Sequence, residues 1–436
     1  MIWESRDMHR KIISRYFFYR RSQGWTRERL EAYQDEMLRR LIRHAGRFVP
    51  YYRKLFREIG LDAEKFQGRS DLAKIPLLDK ETVRTRCREL IADNAAKFGV
   101  VWDSTSGSTG TPLHFLLDQG ARADKLCALI RSYQWAGYTL GKKAFSLQSY
   151  YLRNRCWEYK KLYRVLRFDS NQLKRVNAEE VISILRRWKP RFYMGFPFDL
   201  QMLARFAQQA GLTLPSPDSM VTYGETLSTV RRRALQESYS CPVFDFYSQH
   251  ECVSMIAECE QHFLHLVDDF AYHEIIDSGG SDATEHLRGE LVGTGYYNFA
   301  MPLIRYRTRD EIILSDDGGP CACGRVFRRV KEIIGKQCDY IETPDGRILG
   351  AVMSHSMDRG QGVVMSQCVQ DAPDHLYVNL ITDESFRDET FQALEADLRK
   401  RVGEEMKIEF RQVSQMEKRP GGKTPFLLSK IGNQYT

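Results

Sequence analysis

The sequence predicts an α/β protein with a large N-terminal domain of mixed α/β sheets and a small α+β domain at the C-terminal end. In the middle of the chain, helix-like stretches alternate with short apolar runs, a pattern typical of strands and helices that pack on a common sheet. Towards the C-terminal end, three strand-like runs surround one helical stretch. The length of 436 residues suits two or three domains with a large buried interior.

The periodicity of hydrophobic residues predicts the positions of the individual helices and strands. Residues 1 to 60 are predicted to form amphipathic helices that break at Pro50, and we assign 1–98 as the helical start of the large domain. The apolar residues at helical spacing there are Leu30, Met37, Leu38, Leu41 and Ile42. In the middle part the predicted helices are 119–136, 178–188, 198–210 and 226–239, and the strands are 143–148, 191–196, 219–223 and 243–247. In the C-terminal part the strands are 363–369, 375–381 and 406–413, and the helix is 384–402.

Composition limits the class of protein. Hydrophobic residues make up 42% and charged residues 28% of the chain, and no run approaches the eighteen apolar residues of a membrane-spanning helix. Residues 1–21 lack the apolar core of a signal peptide, so we expect a cytoplasmic protein whose ten cysteines are reduced thiols or metal ligands. The net charge of +8 suits anionic ligands such as ATP or CoA, an acidic membrane surface, or non-specific attraction to nucleic acid. We find no nucleic-acid-binding motif and expect no nucleic-acid partner.

A loop rich in hydroxyls and glycines is the centre of the predicted function. Residues 103–112, Asp-Ser-Thr-Ser-Gly-Ser-Thr-Gly-Thr-Pro, lie between the β-like runs 100–102 and 113–117. Glycine lets backbone N–H groups turn inward, and serine and threonine add hydroxyl donors, so the loop can wrap phosphate oxygens. A polar hairpin loop is the alternative. No lysine follows Gly110, so the loop is not an ordinary P-loop.

The order of residues in this loop resembles the signature loop of the adenylate-forming superfamily, which includes acyl-CoA synthetases, adenylation domains and luciferases. Two N-terminal segments resemble the phenylacetate-CoA ligase family within this superfamily. They are Phe-Val-Pro-Tyr-Tyr-Arg at 48–53 and Ile-Pro-Leu-Leu-Asp-Lys at 75–80. The resemblance implies the adenylate-forming fold and the activation of a carboxylate by ATP. It also implies nucleotide contacts from Thr105, Ser106, Gly107, Ser108, Thr109 and Gly110.

Further motifs of the branch follow in order. Gly224 and Glu225 follow a predicted strand and by resemblance line the adenine pocket. The segment Phe-Asp-Phe-Tyr-Ser-Gln-His-Glu at 244–251 resembles the element Asp-x-Tyr-Gly-x-(Ser/Thr)-Glu, although Ser248 and His250 depart from it. The resemblance implies that Tyr247 stacks on adenine and that Glu251 holds Mg²⁺, a task suited to a carboxylate oxygen. A surface acid is the alternative for Glu251.

The segment 301–310, Met-Pro-Leu-Ile-Arg-Tyr-Arg-Thr-Arg-Asp, is the most specific match in the chain. By resemblance Asp310 accepts hydrogen bonds from the ribose hydroxyls, and one of the arginines is a candidate for a phosphate contact.

Residues 333–341 resemble the interdomain hinge of the family, so we predict a domain 1–336, a hinge 337–340 and a domain 341–436. Lys336 replaces the usual arginine as a nucleotide contact, and Asp339 is the candidate pivot. Lys423, on a Gly-Gly turn, resembles the terminal catalytic lysine.

Cysteine and histidine spacing predicts a structural zinc site. Cys321 and Cys323 follow a Gly-Gly-Pro turn, and Cys252, Cys259, His262 and His265 lie upstream. Comparison with the strand pattern of the family favours Cys259 and His265 as the remote pair, with Cys252 and His262 left as alternatives. Free buried thiols and a core imidazole are the competing interpretation.

These motifs together predict an AMP-forming ligase that resembles phenylacetate-CoA ligase. Its expected ligands are ATP and AMP, Mg²⁺, zinc, a small-molecule carboxylate, and CoA or another acceptor. Alternatives are an adenylating enzyme of polysaccharide or coenzyme biosynthesis with a non-CoA acceptor, and a catalytically silent nucleotide-binding relative. A homodimer is a further open alternative, and the sequence does not identify the acid.

Overall fold

We analysed a computed structural model of the chain. It describes residues 6–105, 113–148, 155–170, 173, 178–277, 280, 283, 287–316, 321–336, 341–344, 348–349, 361–418 and 427–431. Among the helices in these ranges, none combines the length and apolar character needed to cross a membrane.

The helices of the N-terminal part begin and end at recognisable signals. Thr26 caps the second helix by accepting a hydrogen bond from the Arg29 amide, and Pro50 occupies the first turn of the third, where its missing N–H leaves no bond unmade. The helices are α1 (Arg6–Ser22), α2 (Arg27–Phe48), α3 (Pro50–Glu58), α4 (Arg69–Leu72), α5 (Lys80–Thr85), α6 (Cys87–Leu90), α7 (Gln119–Trp135), α8 (Ala178–Trp188), α9 (Pro197–Gln209), α10 (Thr229–Tyr239) and α11 (Asp388–Val402).

The strands form one large sheet, one four-stranded sheet and two short hairpins. In chain order they are β1 (Val101–Thr105), β2 (Leu113–Leu117), β3 (Ala144–Gln148), β4 (Trp157–Lys160), β5 (Val165–Asp169), β6 (Phe192–Gly195), β7 (Ser219–Tyr223), β8 (Val243–Ser248), β9 (Met255–Glu258), β10 (Leu264–Leu266), β11 (Ala271–Ile276), β12 (Arg288–Gly295), β13 (Tyr306–Leu314), β14 (Arg329–Lys336), β15 (Ile341–Glu342), β16 (Ile348–Leu349), β17 (Val363–Ala372), β18 (His375–Thr382), β19 (Lys407–Gln412) and β20 (Leu427–Ser429).

The large sheet has twelve strands in the order β11-β12-β13-β14-β10-β9-β8-β7-β6-β3-β5-β4. Strands β5, β3, β6, β7 and β8 are parallel, and the pairing becomes antiparallel from β8 to β9. Because parallel strands end at the same edge, the residues that follow β6, β7 and β8 meet there, where ligands of open α/β sheets bind. The predicted α/β fold class is confirmed.

The helical start is tied to the strand that carries Asp310. Leu78 exchanges two 2.9 Å backbone hydrogen bonds with Arg305 and Arg307, and the Tyr52 hydroxyl donates to the Pro302 carbonyl over 3.1 Å. The left-handed backbone of Arg305, with φ of 52°, belongs to this junction. The N-terminal helices are therefore continuous with the core of the large sheet.

The small C-terminal unit consists of β17 to β20 with α11, in the sheet order β19-β18-β17-β20. Its predicted strands and helix are present, but the helix begins at Asp388 instead of residue 384. Strands β4, β5, β9 to β16 and β20 were not predicted as strands. Strand β20 is a short edge strand parallel to β17, and β4 and β5 have only four and five residues, so these three have no long apolar alternation.

Candidate active site and metal cluster

The nucleotide-binding candidates from separate motifs meet at the carboxyl edge of the large sheet. Gly224 follows β7 with φ of 82°, and a Cβ there would lie 2.6 Å from the ring of Phe196, so glycine is needed at this turn. Glu225 comes next. Tyr247 lies near the end of β8, and Glu251 follows that strand. The fold thus brings these two motifs to one edge of one sheet.

Asp310 is a buried carboxylate with two donors from the β8 end. The Tyr247 hydroxyl donates to Asp310 Oδ2 over 2.6 Å, and Gln249 Nε2 donates to the same oxygen over 2.7 Å. Burial raises the pKa of Tyr247 well above its ordinary value, and Asp310 raises it further, so the phenol stays a neutral donor. Gln249 was not predicted, because it occupies a variable position of the motif. These bonds hold the Asp310 carboxylate in a fixed orientation.

Glu251 is equally buried and is held from the neighbouring strand. Its side chain accepts a hydrogen bond of 3.0 Å from the hydroxyl of Tyr306, the first residue of β13. Lys125 on α7 donates to the Gln249 carbonyl over 3.0 Å and so anchors the turn that carries Glu251. Only 3% of Glu251 is exposed, which contradicts the alternative of a surface acid.

Two of the three arginines before Asp310 form ion pairs within the fold, and the phosphate contact of an arginine stays a prediction. Arg305 pairs with Glu274 at 2.9 Å and donates to the carbonyl of Ile75, whereas Arg307 pairs with Glu290. Both guanidinium groups therefore stabilise the fold. A sequence alone cannot separate these roles, since the acidic partners come from the distant strands β11 and β12.

Several predicted site residues lie outside the described part of the chain. Ser106, Gly107, Ser108, Thr109 and Gly110 do so, as do Asp339, Lys423 and the side chains of Thr105 and Lys336. The flanking backbone is described. Thr105 pairs with Leu113 across the β1–β2 hairpin, and the backbone of Lys336 lies opposite Asp310 on the adjacent strand. The roles of these residues remain predictions.

A second cluster lies between β9, β10 and the segment before β14. The ligand atoms of Cys259, His265, Cys321 and Cys323 all lie within 4.8 Å of one another. The Cys259 and Cys321 sulfurs are 3.9 Å apart, and Cys323 Sγ is 3.6 Å from His265 Nε2. His265 Nδ1 lies 3.1 Å from the Phe327 carbonyl, which fixes this nitrogen as a donor and leaves Nε2 for a ligand.

The alternative ligands lie elsewhere. His262 pairs through Nδ1 with Glu258 at 2.7 Å and stacks on the ring of Phe244, while the Cys252 sulfur lies 3.5 Å from the His250 carbonyl. The structure therefore groups the favoured pair, Cys259 and His265, with the two later cysteines.

The donor set fits a tetrahedral zinc ion. Zn–S bonds of about 2.3 Å and Zn–N bonds of about 2.0 Å give tetrahedral edges of roughly 3.8 Å between sulfurs and roughly 3.6 Å between sulfur and nitrogen. The observed 3.9 Å and 3.6 Å separations are close to these values. Three thiols and one imidazole are also the soft ligands that zinc accepts.

Comparisons with known proteins agree with this architecture. Residues 341–430 match the model of the CapK C-terminal domain. The chain is 22% identical over 411 residues to "Protein CapK" of Staphylococcus aureus, covering 91% of this chain and 89% of that protein. It is 26% identical to the phenylacetate-coenzyme A ligase of Thermus thermophilus, covering 72% of each chain.

Solved structures show the same fold. A 2-hydroxyisobutyryl-CoA ligase in the postadenylation state, in complex with 2-HIB-AMP, is 18% identical, covers 94% of this chain and 92% of its own, and has a TM-score of 0.75. The same ligase in the thioesterification state has a TM-score of 0.61. The chain is thus similar in sequence to Protein CapK and to phenylacetate-coenzyme A ligase, and similar in fold to 2-hydroxyisobutyryl-CoA ligase.

Proposed function

We propose that this protein uses MgATP to convert a carboxylic acid into acyl-AMP and then transfers the acyl group to CoA. The observation that carries the proposal is the Asp310, Tyr247 and Gln249 cluster, a fixed buried carboxylate beside the turn at Gly224. Such a carboxylate can accept hydrogen bonds from both ribose hydroxyls, and the adenine then lies along Gly224, Glu225 and Tyr247. Two of the proteins named above, the phenylacetate-coenzyme A ligase and the 2-hydroxyisobutyryl-CoA ligase, are CoA ligases, which supports the same chemistry here.

In the first step a carboxylate oxygen attacks the α-phosphorus of ATP, and the bond to pyrophosphate breaks. Residues 105–110 bind the phosphates, Glu251 supplies an oxygen ligand to Mg²⁺, and Lys336 and Lys423 add positive charge. Mg²⁺ neutralises phosphate charge when bound. In the second step the CoA thiolate attacks the acyl carbon and AMP leaves. The higher similarity to the postadenylation state supports assigning the present arrangement of the two units to the first step.

The experiment that tests the proposal is acid-dependent ATP–pyrophosphate exchange with a library of carboxylates that starts with phenylacetate. Exchange that requires one class of acid supports a ligase. ATP binding without exchange for any acid would support a silent nucleotide-binding protein instead.

If exchange occurs but CoA does not discharge the acyl-AMP, the acceptor is another molecule. That result would support a second candidate function, an adenylating enzyme with a non-CoA acceptor such as one in polysaccharide biosynthesis.

Glu251→Gln should raise the Mg²⁺ concentration needed for exchange by about tenfold or more, because an amide is a weaker ligand than a carboxylate for a hard cation. The Tyr306 hydroxyl can still donate to the amide oxygen, so the fold should persist. Exchange rates measured against Mg²⁺ concentration give the shift. Glu237→Gln is the matched control, since Glu237 forms an exposed ion pair on α10. An unchanged Mg²⁺ requirement in Glu251→Gln would contradict the assignment.

Asp310→Asn should raise the KM for ATP by about tenfold, because one acceptor oxygen becomes a donor that faces the Tyr247 and Gln249 donors or the ribose. Glu311→Gln on the same strand is the control, as successive side chains of a strand point to opposite faces. The two variants should have equal melting temperatures if the loss is local. A KM for ATP equal to that of the wild type would rule out ribose binding by Asp310.

We also propose that the Cys259, His265, Cys321 and Cys323 cluster binds one structural zinc ion. The grouping of its four ligand atoms within 4.8 Å of one another supports this assignment. Thiolate ligands persist in a reducing compartment, which agrees with a cytoplasmic location.

A further inference from the structure

The small C-terminal unit contacts the large unit along one face of helix α9. Asp199, Met202 and Arg205 are spaced three residues apart, so their side chains lie along one side of the helix. Arg205 and Met202 contact the C-terminal unit, and Asp199 lies within the electrostatic influence of its Lys418.

Arg205 makes the polar contact. Its Nη2 atom donates a 3.1 Å hydrogen bond to the carbonyl oxygen of Thr382, the last residue of β18. Burial lowers the pKa of the guanidinium, and the nearby carboxylate of Asp383 opposes that effect. The arginine is thus held between a backbone carbonyl and an acid of the small unit.

Met202 makes the apolar contact. It packs against a buried cluster of Met365, Ile381 and Met416, whose side chains come from β17, β18 and the segment after β19. These three residues are 4 to 5% exposed. Separation of the two units would uncover this apolar surface, so the packing favours the docked arrangement.

Asp199 connects the docked unit to the active-site edge. This 4% exposed carboxylate lies in the first turn of α9 and is near enough to Glu225 and to Lys418 of the small unit to sense both charges. Burial and the nearby Glu225 raise the pKa of Asp199 to about 7, whereas Lys418 acts to lower it.

We infer that the α9 face of Asp199, Met202 and Arg205 is the docking surface that holds the C-terminal unit in place for acyl-AMP formation. This inference rests on the proposed function. Arg205 and Met202 act as positioning residues, because they contact the other unit and not the reacting atoms. If the small unit moves for the transfer step, these contacts are lost, so they contribute to the first step alone.

The test uses the full chain with Met202→Glu and Arg205→Glu. Acid-dependent ATP–pyrophosphate exchange should fall by about tenfold or more, whereas transfer from preformed acyl-AMP to CoA should keep its rate. Asp383→Arg added to Arg205→Glu should restore part of the exchange. Arg233→Glu, an equal charge change on the exposed face of α10, is the control and should match the wild type.

Small-angle X-ray scattering measures docking of the C-terminal unit in the absence of a carboxylic acid substrate. With ATP and Mg²⁺ present, Met202→Glu and Arg205→Glu should have larger radii of gyration than the wild type and Arg233→Glu, with unchanged circular dichroism. Scattering equal to the wild type, or equal losses in both half-reactions, would overturn the inference. If the wild type shows no exchange with any acid but the variants still expand, the docking surface stands and the proposed ligase activity fails.

Discussion

Cys321→Ser should abolish zinc binding and lower the free energy of unfolding by at least about 3 kcal/mol. This is a fraction of the roughly 10–16 kcal/mol by which zinc stabilises small metal-dependent folds. The effect is large because the cluster joins β9, β10 and the segment before β14 at the middle of the twelve-stranded sheet. Elemental analysis after purification without chelator should find one zinc per wild-type chain, and denaturant unfolding gives the change in stability.

Cys252→Ser is the matched control for this zinc prediction. Cys252 is also buried, but its sulfur lies against the His250 carbonyl and outside the cluster. It should keep a full equivalent of zinc. A wild-type chain without zinc, or a Cys321→Ser chain with it, would contradict the assignment, and zinc loss in Cys252→Ser would show that the ligand set is wrong.

Lys423→Ala should reduce acyl-AMP formation by about 10²-fold or more, because removing one group that stabilises charge in the transition state costs on this scale. Its ammonium would neutralise the α-phosphate during attack by the carboxylate. Transfer from synthetic acyl-AMP should be spared if the small domain turns about Asp339 for the second step. Both half-reactions can be measured separately by pyrophosphate exchange and by CoA consumption.

Lys407→Ala is the control for Lys423→Ala, since Lys407 forms an exposed pair with Asp374 in the same unit. It should leave both half-reactions unchanged. Little loss in either half-reaction for Lys423→Ala would mean that Lys423 is a solvated surface residue. Equal damage to both would indicate a general defect in folding or closure, and the two-position mechanism would lose its support.

Four of the five parallel strands, β3, β6, β7 and β8, could be predicted from the sequence because they are largely buried on both faces. Runs such as 219–223 are short and almost continuously buried, and predicted helices separate them. The edge strands β4 and β20 lack this signal. Strand β4 alternates between exposed and half-buried residues, and β20 has three residues whose pairing depends on the distant strand β17. Such strands are specified by tertiary contacts.

The candidate site was predictable only where a motif carried it. Tyr247, Glu251 and Asp310 could be named by resemblance, whereas Gln249 could not, because its contact with Asp310 spans 61 residues. The same limit applies to the ion pairs of Arg305 and Arg307, whose acidic partners lie on other strands. Spacing left Cys252 and Cys259 both open as ligands, and the resemblance favoured Cys259. The pairing of β9 with β10 brings Cys259 close to His265.

The junction between Leu78 and β13 has a consequence for how such chains diverge. Tyr52 and Leu78 belong to the two N-terminal segments 48–53 and 75–80. They hydrogen-bond directly to residues 302–307 of the motif 301–310. A substitution near Tyr52 or Leu78 therefore alters the backbone of residues 302–307, which leads to Asp310. We therefore expect the early and late motifs to be inherited as one unit, and a chimera that takes them from different parents to fold poorly unless the junction is exchanged as a whole.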